Sequence, residues 1–415
     1  MRYNLLKIFN TLTCRNETFK PEFDKQVKMY TCGPSTYQQA HIGNYRTFLF
    51  EDVFQRYLEF LGYKVERIMT LTDVEDKAIS QAAKDNVTVE ELTARNEEVF
   101  FKDFNLLKIK RPDYSIHASK TVDQAVKLIS RLIEDGIAYW YVYKGERNAY
   151  FDPLKFERFG KLAHLDMSKW PKKRRRFHKD TYPGTPWNLG DFVLWHGCSQ
   201  EGLCFDTAIG KGRPAWNIQD AAIVTKHLGF SVDVACGGID NIVRHHDYTL
   251  AVAESVSGGQ FSRYWLHGGH LFIDGKKMSK SKGNVYCIND VVAKGFSGAH
   301  LRFFLIYGDY RKKLNFTWQK LSETSRRLDC FRAMVNELLE IKPKSQLANQ
   351  ETLCSKLISD FTRYMDDDLN VKTAFNCLYE NISKLYRKRQ ILGAEDIKNV
   401  EENLGRINTV LQFIF

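Results

Sequence analysis

The stretch QVKMYTCGPSTYQQAHIGNYRTFLF, residues 26–50, decides the fold. Val27, Met29 and Thr31 alternate along "QVKMYTCGPS", the period of a short strand, and Gly33–Pro34 turns the chain. From Asn44 the period lengthens. Phe48, Leu49, Val53, Phe54, Tyr57, Leu58 and Leu61 form one apolar helical stripe, stopped by Gly62. A second strand follows in "KVERIMTLTDV". Strand, turn, helix and strand in this order predict a βαβ unit and hence a parallel sheet. "HIGN", residues 41–44, falls where the first strand hands over to the helix. An α/β nucleotide fold places its phosphates there, because helix N-terminal N–H groups and dipole favour anions.

Working outward, the reading from about 80 to 135 is helical. Val122, Ala125, Val126, Ile129, Leu132 and Ile133 recur at helical spacing before Gly136. "IAYWYVYKGERNAYFDP" reads as a hairpin turning at "KGE", and 154–190, rich in Lys, Arg, Pro and Gly, as an irregular insertion. The sheet is expected to resume at "DVACGGID" (233–240) and "RYWLHGGHLFIDGKKMSKSKGN" (263–284). Beyond about 295 helical patterning predicts a bundle, with a polar link near 342–350. The expected organisation is a catalytic α/β domain over 1–295, with an insertion at about 80–190, followed by a helical bundle over 296–415.

The 415 residues suffice for two or three domains with a substantial core. No apolar run approaches the ~18 residues of a membrane span, and the N-terminus lacks a signal-peptide pattern, so a cytoplasmic protein is expected. The net charge of +11 points to an anionic partner, nucleic acid or nucleotide first. The densest basic run, "WPKKRRRFHK" (170–179), offers phosphate contacts or a solvated loop. Nine cysteines at scattered spacing, without a C-x-x-C, predict reduced thiols rather than a disulfide framework.

Two motifs carry chemistry. In HIGN, Gly43 lets a ligand reach the backbone and His41 can donate to a phosphate. In "KMSKS" (277–281), Lys277 and Lys280 with Ser279 and Ser281 can close over a triphosphate and neutralise charge on departing pyrophosphate. Alone, each also reads as a helix cap or a solvated turn. Together, in this order, they resemble the signatures of class I aminoacyl-tRNA synthetases. "CGPSTYQQAHIGNYRT", "TLTDVEDKAI", "GRPAWNIQDAAI", "CGGIDNIVRHHD", "YWLHGG", "KMSKSKGN", "LRFFLIYGDYRKKLNFTWQKL" and "MDDDLN" narrow the resemblance to cysteinyl-tRNA synthetases over roughly residues 20–400.

The resemblance implies a Rossmann-like domain that binds ATP and an amino acid, assisted by Mg2+, forms an aminoacyl-adenylate and passes the acyl group to tRNA, in a monomer. It implies that His41 and Asn44 bind phosphate, Gly43, Gly238, Asp240 and Ser279 line the ATP site, and Lys277 and Lys280 stabilise the transition state. The amino-acid pocket would comprise Cys32, Gly33, Thr72, Trp216, Asp220, His245 and Thr249. Members of this family select cysteine with zinc. The four positions of their ligands carry Cys32, Asp220, His245 and Thr249 here. Two outcomes stay open. Cys32, Asp220 and His245 hold zinc and leave one open position, or zinc is lost and Asp220 faces the pocket as a free carboxylate favouring a cationic or donor side chain. Ala235 and Cys236 also replace the family's residues before the glycines. The chain further resembles the mycothiol-pathway ligase, in which a small amine is the acceptor and the anticodon-recognising tail is absent. A third possibility, an RNA-binding descendant without catalysis, is at odds with intact HIGN, GGID and KMSKS.

Overall fold

The computed structural model describes residues 5–415 apart from 144, 170–189, 199–202, 279–282, 344–345 and 348–349. Its central sheet has five parallel strands: β1 (Gln26–Ser35), β2 (Lys64–Thr72), β3 (Tyr114–His117), β4 (Val232–Gly238) and β5 (Ser262–Gly268). Their spatial order is β5-β4-β1-β2-β3. The chain therefore builds outward from β1 in one direction, then returns to β1's other side. That reversal between β1 and β4 is the topological switch point of a doubly wound fold, and its crevice lies beyond the strands' C-terminal ends.

Both faces of the sheet are covered, which is why β1 buries Tyr30 as fully as Val27 and Met29 rather than alternating strictly. Helix α1 (Ile42–Phe60) covers one face. The predicted stripe is the buried one, with Phe48, Leu49, Val53, Phe54, Tyr57 and Leu58 all in the core. On the other face lie α2 (Trp216–His227) and α3 (Asp247–Ser257), with Ile218, Ala222, Tyr248 and Val252 in a second core.

The expected hairpin is present as Ala138–Tyr143 and Glu146–Phe151, and it extends through Phe192–Gly197 and Gly212–Pro214 into a four-stranded antiparallel sheet. The helical reading of 80–135 is corrected. Asn86, with φ of 53°, ends one helix, and the edge strand β3 interrupts the rest before the helix Val122–Glu134. Four residues, "YSIH", carry no periodic signal strong enough to read. The expected irregular insertion contains two short turns, Pro153–Lys155 and Met167–Lys169, and its basic run lies outside the described residues. The reading that all thiols are reduced is also corrected, because Cys198 and Cys204 are bonded across a short loop.

A third, small sheet positions the start of KMSKS. Leu271–Ile273 pairs in parallel with Leu314–Phe316 and antiparallel with Lys276–Lys277. Asp274 and Gly275 both have positive φ (48° and 75°), the backbone of a tight two-residue hairpin, and so deliver Lys277 opposite Phe272.

The C-terminal helices are α4 (Gly298–Ile306), α5 (Trp318–Leu339), α6 (Glu351–Met365), α7 (Val371–Arg387) and α8 (Ala394–Leu411). Phe303, Phe331, Phe375 and Phe413 pack at their centre. One buried guanidinium ties them to α1. Arg302 donates to Asp52 Oδ2 at 2.6 Å, to the Leu411 carbonyl at 2.7 Å and to the Leu107 carbonyl at 3.0 Å.

Candidate active site

Helix α1 starts at the C-terminal edge of β1, and its first turn is built by HIGN itself. His41 is the N-cap, with φ −102° and ψ 167°. Its Nδ1 accepts the Asn44 backbone N–H at 3.2 Å, while Asn44 Oδ1 accepts the His41 backbone N–H at 3.0 Å. This is a reciprocal capping box. In the neutral ring an accepting Nδ1 places the proton on Nε2, where the imidazole is a donor. The helix-cap reading and the phosphate reading of HIGN are thus compatible.

Gly43 lies against Met278 of KMSKS. A Cβ built on Gly43 would collide with Met278 Cε, and would come within 3.1 Å of the His41 ring. The Ile42 N–H also donates to the Tyr286 carbonyl at 2.9 Å. The two motifs, more than 230 residues apart, therefore meet across the α1 N-terminus. Lys277 is exposed beside them, and Ser279 and Lys280 lie outside the described residues. At the end of β4, a Cβ on Gly238 would stand 2.7 Å from Asp240 Oδ1. Asp240 is exposed at the rim.

The residues expected to line an amino-acid pocket lie at the same edge. Gly33 N–H donates to Thr70 Oγ1 at 3.3 Å, and a Cβ on Gly33 would collide with the Thr70 carbonyl. The Thr72 carbonyl accepts two bonds from Thr36, at 3.0 Å each, so Thr72 contributes backbone. Behind them Tyr30 OH donates to Asp220 Oδ2, which also meets His245 Nε2 at 2.7 Å. Trp216 stacks on the His245 ring with centroids 4.1 Å apart and planes 9° apart. The Thr249 hydroxyl donates to the His245 carbonyl at 3.0 Å. It therefore serves its own helix.

Asp220, His245 and His246 are buried, and Cys32 is half-buried. Burial pushes the Asp220 carboxyl up, but the His245 imidazole and bonds from His245, Tyr30 and Thr70 outweigh it and hold Asp220 below the usual range. Burial pushes the Cys32 thiol well up, and the adjacent Asp220 charge adds to that. A cation beside the sulfur is what would reverse this. Burial, then His267 and His245, push His246 well down. Burial alone pushes His267 down to about 3.

His246 is the residue that sequence reading missed. Its Nε2 and His245 Nδ1 are both buried without a hydrogen-bond partner. Cys32, His245 and His246 form the one His/Cys/Asp/Glu cluster among the described residues, with one potential ligand atom of each within 4.8 Å of the others. Orphaned imidazole nitrogens beside a thiol are a donor set that fits zinc. The signal in the sequence was the HH pair itself, but which ring nitrogen stays unpaired is visible only in the fold.

Residues 18–326 match the family model for the catalytic domain of class I (C) tRNA synthetases. A cysteine–tRNA ligase of Chlamydia pneumoniae is 37% identical over 414 residues, 98% of this chain and 86% of that protein. One of Brachyspira hyodysenteriae is 32% identical over 97% of this chain and 85% of its own length. Among solved structures, Mycobacterium tuberculosis methionyl-tRNA synthetase bound by methionyl-adenylate superposes with a TM-score of 0.68 at 13% identity, covering 94% of this chain and 90% of that one. The LeuRS–tRNA–LeuAMS complex of Agrobacterium radiobacter K84 gives 0.67 at 12% identity, covering 95% and 85%. These two likenesses support the fold.

Proposed function

The chain belongs to the class I (C) tRNA synthetase family, and from that premise we propose that it is a cysteine–tRNA ligase, forming cysteinyl-adenylate from ATP and transferring the cysteinyl group to tRNA. The observation that carries the adenylate chemistry is Met278 seated against Gly43, which joins the two motifs over the α1 N-terminus at the switch point. Relatives named cysteine–tRNA ligase, matched over 85–86% of their length, favour tRNA over a small amine as acceptor.

The proposed division of labour is as follows. The substrate carboxylate attacks the ATP α-phosphate, and pyrophosphate leaves. His41 Nε2–H and Asn44 hold phosphate oxygens above the α1 N-terminus, where Gly43 admits them to the backbone. Lys277 and Lys280, with Ser279, neutralise charge building on the pyrophosphate, with Mg2+ as the inorganic partner. Gly238 and Asp240 receive the ribose. Little covalent work falls to the protein, so positioning and charge carry the rate.

Cys32, Trp216, Asp220 and His245 enclose the substrate side chain, with Gly33, Thr72 and Thr249 shaping the wall. Cys32 and His245 are among the residues that would hold zinc. When bound, zinc would supply a Lewis acid that takes the substrate sulfur as thiolate and so discriminates against a hydroxyl. The catalytic unit is assigned to 1–295 and the bundle to 296–415, and a monomer is proposed. No described helix is long and apolar enough to cross a membrane. ATP–pyrophosphate exchange with cysteine and with serine tests the first half-reaction, and charging of total tRNA tests the second. Exchange with cysteine but no charging would move the acceptor from tRNA to another nucleophile.

A further inference from the structure

The family pattern places zinc ligands at the positions of Cys32, Asp220, His245 and Thr249, yet the geometry distributes these residues differently. Thr249 spends its hydroxyl on the His245 carbonyl at 3.0 Å. Asp220 Oδ2 is shared between Tyr30 OH and His245 Nε2, and Thr70 and Cys32 also bond this carboxylate. What remains unpartnered in the buried site is His245 Nδ1 and His246 Nε2, and both residues cluster with Cys32, one potential ligand atom of each within 4.8 Å of the others. We propose that the metal site of this chain has been rebuilt. Cys32 Sγ, His245 Nδ1 and His246 Nε2 ligate one zinc ion with a fourth position open for the substrate thiolate, and Asp220 orients His245 from its other ring nitrogen without ligating. The proposal rests on the cysteine-ligase reading for its substrate and on geometry alone for its ligands.

Three features build the set. First, the chain enters α3 through a π-turn, Ile242–His246. Consecutive side chains on an α-helix diverge by about 100°. The wider turn narrows that angle, and the two rings stand 5.5 Å apart, 33° from parallel. Such turns recur at functional sites.

Second, each ring is oriented from its far side. His245 Nε2 meets a carboxylate, the arrangement that fixes tautomer and raises the basicity of a metal-binding imidazole. His246 Nδ1 lies 2.8 Å from His267 Nε2, and His267 Nδ1 lies 2.8 Å from Thr11 Oγ1. With both rings neutral, the tautomer that suits a metal has His246 Nδ1–H donating to His267 Nε2 and His267 Nδ1–H donating to Thr11 Oγ1. This leaves a lone pair on His246 Nε2. Third, Gly237 makes room for that ring. A Cβ there would lie 2.5 Å from His246 Cε1 and 3.0 Å from Nε2.

The charge balance follows from the ligands. One thiolate and two neutral imidazoles leave zinc with a formal charge of about +1. A substrate cysteine that gave its thiol proton to solvent and bound there through sulfur would make the centre neutral. A two-thiolate site would go from neutral to negative on the same step. The rebuilt site is therefore the stronger thiolate acceptor of the two.

X-ray absorption at the zinc edge of the full chain, purified without added metal, counts the ligands directly. One zinc per chain with one sulfur and two imidazole nitrogens is expected, and a second sulfur on adding cysteine. One imidazole only, or no metal, overturns the proposal. Zinc affinity of variants gives an independent reading. His246→Gln is expected to lose most of the metal, as Cys32→Ser does, whereas Asp220→Asn keeps it with affinity about 10–100-fold weaker. Full retention by His246→Gln, or loss by Asp220→Asn as complete as by Cys32→Ser, overturns it. The wild-type ligand count needs no variant to fold. Cysteine-dependent exchange on the same preparation separates the two levels. Exchange with a one-imidazole centre rejects the ligand set alone, and a two-imidazole centre without exchange rejects the ligase reading alone.

Discussion

His41 and Asn44 cap the same helix for each other: His41 Nδ1 accepts the Asn44 backbone N–H at 3.2 Å, and Asn44 Oδ1 accepts that of His41 at 3.0 Å. The cap uses one ring nitrogen and the proposed phosphate role the other, so the two can be separated. Asparagine is a good N-cap and lacks the ring. His41→Asn is expected to keep wild-type thermal stability while ATP–pyrophosphate exchange falls by about 10²–10³, the usual cost of removing one transition-state donor. His41→Ala is expected to lose the same activity and, in addition, about 1 kcal/mol of stability by denaturant titration. Equal stability of the two variants would remove the cap from the account.

Gly43 is required by a neighbour rather than by backbone conformation. A Cβ there would enter the space of Met278 Cε and crowd His41. Gly43→Ala is therefore expected to displace the KMSKS segment without unfolding the protein, lowering exchange about 10²-fold or more. Met278→Ala in the same background clears the space, and partial rescue of exchange in the double variant would show that the clash is the cause. Its absence would place the defect elsewhere.

Arg302 and Asp52 form a fully buried pair at 2.6 Å, and the same guanidinium serves carbonyls at the end of α8 and in the 107–108 loop. Removing Asp52 leaves the buried Arg302 charge uncompensated, whereas removing Arg302 leaves Asp52 paired with Arg56 at 2.9 Å. Asp52→Ala is therefore expected to cost about 3–5 kcal/mol in denaturant unfolding, and Arg302→Ala less. The double variant should cost less than their sum. Strict additivity would mean that the pair does not couple α1 to the bundle.

Glu51 supplies a pH signature. Burial pushes its carboxyl up to about 8 from 4.5, against the opposing pull of Arg67 at 3.1 Å. Between those values the folded state holds a proton that the unfolded chain has released, so stability falls as pH rises through this window and levels off above about 8. The slope for one such group is at most about 1.4 kcal/mol per pH unit. Glu51→Gln is expected to flatten it, read from denaturation midpoints between pH 5 and pH 9. An unchanged slope would assign the pH dependence to other groups.

The sequence made the first βαβ unit legible because Gln26–Ser35, Ile42–Phe60 and Lys64–Thr72 carry strong periods bounded by Gly33–Pro34 and Gly62. The strand Tyr114–His117 was not legible. It sits at the sheet edge, is four residues long and buries little, so neighbouring helical patterns masked it. Of the expected pocket, Trp216, Asp220 and His245 lie against one another. That the Asp220 carboxylate bonds Tyr30 and His245 is not legible in the sequence. His246 was invisible for the same reason. Residue type marks a possible ligand, but an unpaired nitrogen is a property of the packed site. Cys198–Cys204 escaped notice because a six-residue separation carries no recognisable framework.

The central claim is that this chain activates cysteine for tRNA. The most direct measurement is attachment of labelled amino acid to total tRNA by the purified full-length chain, run in parallel with cysteine and serine. The account predicts ATP-dependent charging with cysteine and a rate with serine lower by orders of magnitude. Charging with serine as readily as with cysteine, or with neither while another amino acid is accepted, would contradict it.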